Sequence, residues 1–377
     1  MFMNPLLSGV RVLDLSRLLP GPFCTLYLAQ LGAEVIKIEE PKGGDYARLS
    51  PELFDLVNRG KKSITLDLRK PEAVEQFLEL VVTADVVLDS FRPGVMEKLG
   101  CGYDTLKKLN PKLVYAALTG YGHTGPYRDR PGHDMNYRGY AGELAQNGPA
   151  GGAPLTGNFQ VADLAGGALT AVIGILAALM GAQKSGQGSF VDVAMLDGTL
   201  ALQVMTLASL RATGKTAPRG EDVLSGAMAN YATYVCADGR YIALGAVEYK
   251  FFAKACQLAG RPELLKLSLS PGEKGRPLKD GLAELFKSKT RDEWEVLLAH
   301  EDTCVSAILD MEEVLNNPQV QARGMVQQVN GKPAFAMPIQ FSNAITQQGE
   351  SPKLGAHNAE VLGALTVNAK RAAATAA

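Results

Sequence analysis

The chain is short of the features that assign a protein quickly. Its 377 residues carry 38 Lys and Arg against 39 Asp and Glu, a net charge of −1. The basic excess of a dedicated nucleic-acid binder is therefore missing. The five cysteines (Cys24, Cys101, Cys236, Cys256, Cys304) are scattered, odd in number and never spaced Cys-x-x-Cys. Neither a zinc site nor a disulfide framework is supported, and a reducing, cytoplasmic compartment fits best. The opening Met-Phe-Met-Asn-Pro has no basic stretch leading into an apolar run, so no signal peptide is expected. There is no internal repeat, and the only low-complexity segment is an alanine-rich tail at 369–377, expected to be loose and without a Ser-Lys-Leu ending. A glycine fingerprint is missing too. The turn after the first apolar strand is Leu19-Pro20-Gly21-Pro22, and its two prolines remove amides that a pyrophosphate would need. A dinucleotide site fails there, although Glu39 or Glu40 lies about where a ribose-binding acid would.

What is present is ordinary globular composition, 46% apolar and 20% charged, long enough for one large or two medium domains. Apolar periodicity predicts strands at 10–15, 35–38, 63–68, 86–88 and 113–118, alternating with helices at 23–31, 71–83, 94–99 and 103–110. Strand and helix in alternation predict a doubly wound, Rossmann-like α/β domain on a parallel sheet. Glycine and proline thicken over 120–157, which reads as a long functional loop. The uncharged run 164–182 is long enough to span a membrane. Its many Gly and Ala residues, in an otherwise soluble-looking chain, predict a buried core helix instead. A strand at 189–195 and a helix at 196–212 follow. Residues 213–227 read as a linker. A smaller α+β domain follows over 228–312, with strands at 231–236 and 241–246 and helices at 249–258, 278–288 and 291–299. A helix over 312–325 leads back through a connecting stretch at 313–329. Residues 330–377, with a helix at 356–365, complete the large domain begun by 1–212.

Chemistry concentrates in one place. The chain has four histidines, and His133 stands in Gly132-His133-Asp134-Met135-Asn136-Tyr137, a glycine-bounded turn beside a carboxylate. Asp163, thirty residues on, opens the apolar run. Each has a plain structural explanation, a loop histidine and a helix N-cap. Together, an imidazole and a carboxylate in one cleft can take a proton from one face of a carbon and return it to the other.

The Gly-His-Asp-x-Asn-Tyr turn resembles that of the α-methylacyl-CoA racemases in the class III CoA-transferase (CaiB/BaiF) superfamily. The blocks Gly9-Val10-Arg11-Val12-Leu13-Asp14-Leu15, Leu31-Gly32-Ala33-Glu34-Val35-Ile36-Lys37-Ile38-Glu39, Asn58-Arg59-Gly60-Lys61-Lys62-Ser63, Ser90-Phe91-Arg92-Pro93-Gly94, Asp192-Val193-Ala194-Met195-Leu196-Asp197-Gly198, Asn317-Pro318-Gln319-Val320 and Gly355-Ala356-His357-Asn358 extend the likeness along nearly the whole chain. The resemblance implies His133 and Asp163 as the reacting pair, with Glu248, in Gly245-Ala246-Val247-Glu248, holding the far nitrogen of His133. It implies CoA contacts from Arg69, Arg92 and Lys98, from Leu66, Asp67, Leu68, Ser90 and Phe91, and from the turn residues Gly132, Asp134, Met135, Asn136 and Tyr137. Some racemases carry an arginine where Glu40 stands here, which leaves the adenine side without that contact. The charge run Arg59 to Lys62 is expected on a solvated face. The expected partners are an acyl-CoA substrate and a second copy of the chain in an interlocked homodimer. No cofactor, metal, nucleic acid or membrane is expected.

Three activities compete on these residues. A 2-methylacyl-CoA racemase would exchange the α-proton between His133 and Asp163, with the amides of Ala165, Gly166 and Gly167 as free first-turn donors for an enolate oxygen. The helix dipole would favour ionised Asp163. A class III CoA-transferase would use Asp163 as a nucleophile on the thioester. A CoA-binding protein without catalysis is the third.

Overall fold

The computed structural model describes residues 5–365. The alanine-rich tail and the first four residues of the chain lie outside them. The described residues form two compact units: 5–141 with 158–202 and 321–365, and 142–157 with 203–320.

The first unit is built on a parallel sheet. Strands β1 (Arg11–Asp14), β2 (Glu34–Glu39), β3 (Lys62–Thr65), β4 (Val86–Asp89), β5 (Val114–Thr119) and β6 (Phe190–Ala194) lie in the order β3-β2-β1-β4-β5-β6, every pair parallel. This is the doubly wound arrangement expected. The central strands read as near-continuous apolar runs because both faces are covered. One face packs Val12, Val35, Leu88 and Leu118 against α1 (Pro20–Gln30). The other packs Leu13, Ile36, Ile64 and Tyr115 against Phe77 and Leu80 of the helix at 71–82. Helix α2 (Pro51–Asn58), which the pattern did not predict, precedes β3; α3 (Pro71–Val82), α4 (Val95–Lys98) and α5 (Tyr103–Leu109) follow. Gly32, at φ +104°, follows the C-cap of α1 in a positive-φ conformation that glycine adopts without strain. The edge strand β3 is covered by the C-terminal segment. The Ser63 amide donates to His357 Nδ1 at 3.1 Å and the Thr65 amide to Asn358 Oδ1 at 2.8 Å.

The loop is more structured than expected, and the apolar run is helical throughout, as expected, but not uniform. Residues 120–157 are not wholly irregular, since α6 (Asp134–Ala141) starts directly after His133. The apolar run is two conformations in series: a π-helical stretch, Ala162–Leu169, continued by α7 (Thr170–Ser185). The run from 162 to 185 is long and apolar enough to cross a membrane. In the fold it buries one face, through Ala171, Val172, Ile175, Leu179 and Ala182, and leaves Ile173 and Met180 exposed. The first unit also holds α8 (Met195–Ala201).

The second unit takes in 142–157 and begins again at Gln203, ahead of the expected boundary at 212. The predicted helix 196–212 is interrupted at Leu202-Gln203, and α9 (Val204–Thr213) belongs to this unit. Residues 213–227 are part of it as well, with Arg219 Nε donating to the Ala145 carbonyl at 2.9 Å. Strands β7 (Tyr231–Val235) and β8 (Tyr241–Gly245) are joined through Asp238-Gly239, a favoured hairpin dipeptide. Helices α10 (Tyr249–Leu258), α11 (Arg276–Phe286) and α12 (Arg291–Leu298) follow, then β9 (Val305–Ala307), giving an antiparallel sheet β7-β8-β9 over a core around Trp294 and Phe286. The single returning helix predicted over 312–325 is α13 (Met311–Leu315) and α14 (Pro318–Ala322). Pro318 has no N–H to donate and biases Asn317 away from helix, so the chain breaks there. The hairpin β10 (Val326–Val329) and β11 (Lys332–Phe335) closes the first unit.

Candidate functional site

In an open parallel sheet, ligands lie outside the carboxyl ends of the strands where the strand order reverses. Here that point is between β1 and β4, and the loops leaving it are 15–19 and 90–94. The Arg17 amide donates to Ser90 Oγ at 3.1 Å, and its guanidinium lies 4.9 Å from the centre of the Phe91 ring and 5.4 Å from that of Tyr46. Arg17 was not among the residues singled out from the sequence. Its signal was position alone, three residues past an apolar strand.

The lip is anchored from beneath by buried charge. Lys37 Nζ lies 2.8 Å from Asp45 Oδ2 and donates to the Ser16 carbonyl at 2.8 Å. Lys61 Nζ lies 3.2 Å from Asp14. Arg48 holds Glu39 at 2.7 Å. Burial alone would raise the Asp14 carboxyl, but Lys61, Lys37 and the Ser16 and Thr25 hydroxyls hold it down at about 2. Asp45 also accepts the amide of Leu18, at 2.8 Å, and Leu18 has φ +64°, a conformation that costs a branched residue energy unless its surroundings impose it. Glu39 is thus occupied within the protein. The expectation of a solvated face for Arg59 to Lys62 is corrected as well: Arg59 and Lys61 are both buried. Only Lys62 reaches the surface, paired with Glu34 and Glu360 at 2.6 Å each.

The residues expected to contact CoA divide. Arg92 and Lys98 are exposed beyond β4, with Phe91 half-buried beside them. Arg69 is exposed, but its guanidinium is held by Asp67 at 2.6 Å and lies 3.5 Å from Glu40. Leu66 is buried and Leu68 packs on the core, which leaves main-chain atoms as their only polar groups. Within the turn, Met135 is exposed, whereas Asp134 and Tyr137 face inward.

That turn is tied through several main-chain groups around His133. The His133 amide donates to Asn136 Oδ1 at 3.0 Å. The His133 carbonyl accepts the amides of Asn136 at 2.8 Å and Tyr137 at 3.3 Å. The Gly132 carbonyl accepts the Tyr137 hydroxyl. The Asp134 carboxylate, paired with Arg138 at 3.3 Å, takes the amide of Ala162 at 2.7 Å and of Asp163 at 3.2 Å. One carboxylate thus joins the residue after His133 to the start of the helix bearing Asp163, where donors need partners. The imidazole of His133 is exposed and Asp163 is half-buried.

The π-helical stretch sits against the start of α8 with no room for side chains. A Cβ on Gly166 would meet the Thr199 amide at 2.8 Å, and one on Gly198 would meet the Gly166 carbonyl at 1.9 Å. Inserted π turns recur at functional sites because they displace one residue from the helical register. Two expectations change here. Asp163 stands inside the helical stretch rather than just before it, and Ala165, Gly166 and Gly167 are the fourth to sixth residues of that stretch, Ala162–Leu169. The Asp163 carboxyl is not held ionised by the helix dipole. Burial, with the charge of Asp134 added, pushes it up to about 7.

Glu248 lies in the second unit, exposed, at the N-cap of α10 and making no side-chain capping bond. The preceding Ala246 carbonyl is held by Asn230 Nδ2 at 2.6 Å.

The model of CoA-transferase family III matches residues 7–358. Alpha-methylacyl-CoA racemase of Homo sapiens is 35% identical over 367 residues, spanning 94% of this chain and 92% of its own length. Succinate--glutarate CoA-transferase of Agrobacterium fabrum is 34% identical over 391 residues, spanning 96% of each. The crystal structure of a CAIB/BAIF family protein from Brucella suis superposes with a TM-score of 0.85 at 33% identity, covering 97% of this chain and all of that one.

Proposed function

The chain belongs to CoA-transferase family III, and on that premise we propose that it inverts the α-carbon of 2-methylacyl-CoA thioesters by proton transfer between His133 and Asp163. The observation that carries this reading is the helix start of Asp163 tied through the Asp134 carboxylate to the turn of His133, where burial and the Asp134 charge push the Asp163 carboxyl up to about 7. A carboxyl near 7 is divided between acid and carboxylate at neutral pH, so it can give or accept a proton; general acid–base groups work best in that condition. In one direction the His133 imidazole takes the α-proton and the protonated Asp163 delivers one to the opposite face of the enolate. The other enantiomer reverses the roles. Glu248 is proposed to orient His133, and Arg92 and Lys98 to bind the CoA phosphates.

A class III CoA-transferase is the second reading, favoured by transferase relatives as similar in identity as the racemases. There Asp163 would attack the thioester carbonyl and expel the CoA thiolate, leaving a mixed anhydride. Attack requires the ionised carboxylate, which burial beside Asp134 disfavours.

Incubating one 2-methylacyl-CoA epimer in deuterated water separates the two. Epimerisation with deuterium uptake at the α-carbon, no acyl acceptor present, is the expected result. It should disappear in His133→Ala and in Asp163→Ala with CoA affinity retained. A stoichiometric acyl or CoA adduct on the Asp163 peptide, without epimerisation, would establish the transferase instead.

A further inference from the structure

Resting on the proton-transfer reading, we propose that Tyr137 is a positioning residue that sets the backbone of His133 through the Gly132 carbonyl. Tyr137 lies on the first turn of α6, and its chain folds back five residues so that its hydroxyl donates to the carbonyl just before His133. The other main-chain groups of His133 bond to Asn136 and to the Tyr137 amide. The hydroxyl therefore holds the carbonyl of the peptide unit on the N-terminal side of the imidazole, whose amide is held by Asn136.

The ring has a seat made for it. A Cβ at Gly120 would fall 2.3 Å from the Tyr137 ring, and one at Gly132 would fall 2.6 Å from it. Both glycines have ordinary backbone angles, so the close approach of the ring, not backbone conformation, is what requires glycine there. Tyr121 meets the ring edge-on at 5.1 Å between centroids. Burial pushes the Tyr137 hydroxyl well above its ordinary range, the charges of Asp163 and Tyr121 add to this, and Arg92 opposes it. The group therefore stays a neutral donor, and it feels the charges of both Asp163 and Arg92. Tyr137 was expected to contact CoA; the hydroxyl is instead committed to the protein.

The test is Tyr137→Phe, which removes one oxygen and leaves the ring in its seat. Misplacement of a reacting group by about 1 Å costs on the order of a hundredfold in rate. The expected loss in kcat for α-deuterium exchange is about ten- to a hundredfold, with KM for the acyl-CoA within about twofold. In the free enzyme, the His133 Hε1 resonance, identified by its absence in His133→Gln, should shift and broaden. Gly120→Ala crowds the ring itself and should reproduce both effects, which keeps the test standing if either variant folds poorly. Unchanged kcat with an unmoved His133 resonance would overturn the proposal. So would a loss confined to KM, which would make Tyr137 a substrate contact. Wild-type protein without exchange activity would remove the proton-transfer reading, and a His133 resonance that still moves in Tyr137→Phe would uphold the tether independently.

Discussion

At the scale of single residues, Asp163 makes a prediction about stability as well as activity. Its carboxyl titrates at about 7 in the fold, against 3.8 when unperturbed. Between those values the folded state holds a proton that the unfolded chain has released, so stability falls as pH rises through this window and is level above it. Asp163→Asn removes the ionisable group. It should be more stable than wild type at pH 8.5, on the order of 2–4 kcal/mol at 1.36 kcal/mol per pKa unit, and about equal at pH 4. Thermal melts at the two values check this; an equal gain at both would assign the effect to packing. Arg92 tests the division of labour in the site. Arg92→Ala should raise KM for CoA esters with turnover nearly unchanged, because phosphate binding contributes alike to ground and transition states. A charge-assisted hydrogen bond of roughly 1.5–3 kcal/mol corresponds to about ten- to a hundredfold in kcat/KM. Steady-state kinetics that instead show reduced turnover at constant KM would move Arg92 to the reacting centre.

At the scale of elements, the site depends on contacts where two backbones meet without side chains between them. The π-helical stretch bearing Asp163 can approach α8 only because Gly166 and Gly198 face each other; a Cβ on Gly198 would lie 1.9 Å from the Gly166 carbonyl. Gly198→Ala should destabilise the fold by about 1–3 kcal/mol or more, the usual range for overpacking. It should also lower epimerisation beyond what the residual folded fraction explains. Denaturant melts paired with activity per folded molecule measure this; full activity per folded molecule would show that Asp163 tolerates the shift. The same region shows what sequence periodicity misses. Helix α6 went unread because glycines and prolines surround it, and what stabilises it is specific: the Asp134–Arg138 pair and the bonds of the Asn136 and Tyr137 amides to His133. The buried position of Lys61 was equally hidden. A lysine in a run of cations reads as surface, and its burial is offset by Asp14, forty-seven residues away, together with the Pro22 carbonyl, the Thr25 hydroxyl and the Asn58 side chain.

At the scale of the whole molecule, one stretch of surface points outward without explanation in a single chain. Val204, Met205 and Leu207 of α9 each leave more than half of their surface exposed. A contiguous apolar patch rimmed by polar residues marks an interaction surface. We propose a homodimer, which light scattering would read as a mass twice the 40.1 kDa of the chain. Replacing Val204 and Leu207 by Glu should shift it to monomer. Dimers that persist in this variant would place the interface elsewhere.

The sequence by itself determined the parallel α/β unit, because strands buried on both faces must be continuous apolar runs and the helices between them carry apolar stripes. It also determined the family, and it singled out His133 and Asp163 as the candidate pair from residue types and flanking blocks that need no coordinates. Tertiary structure alone decided the state and surroundings of that pair. Whether Asp163 is ionised depends on burial and on Asp134, twenty-nine residues away, and whether Tyr137 meets substrate or protein depends on a ring seated against Gly120. Periodicity reports which face of an element is apolar. It does not report which carboxylates become neighbours or which side chains fill the space left by a glycine, because those follow from contacts between segments remote in the chain.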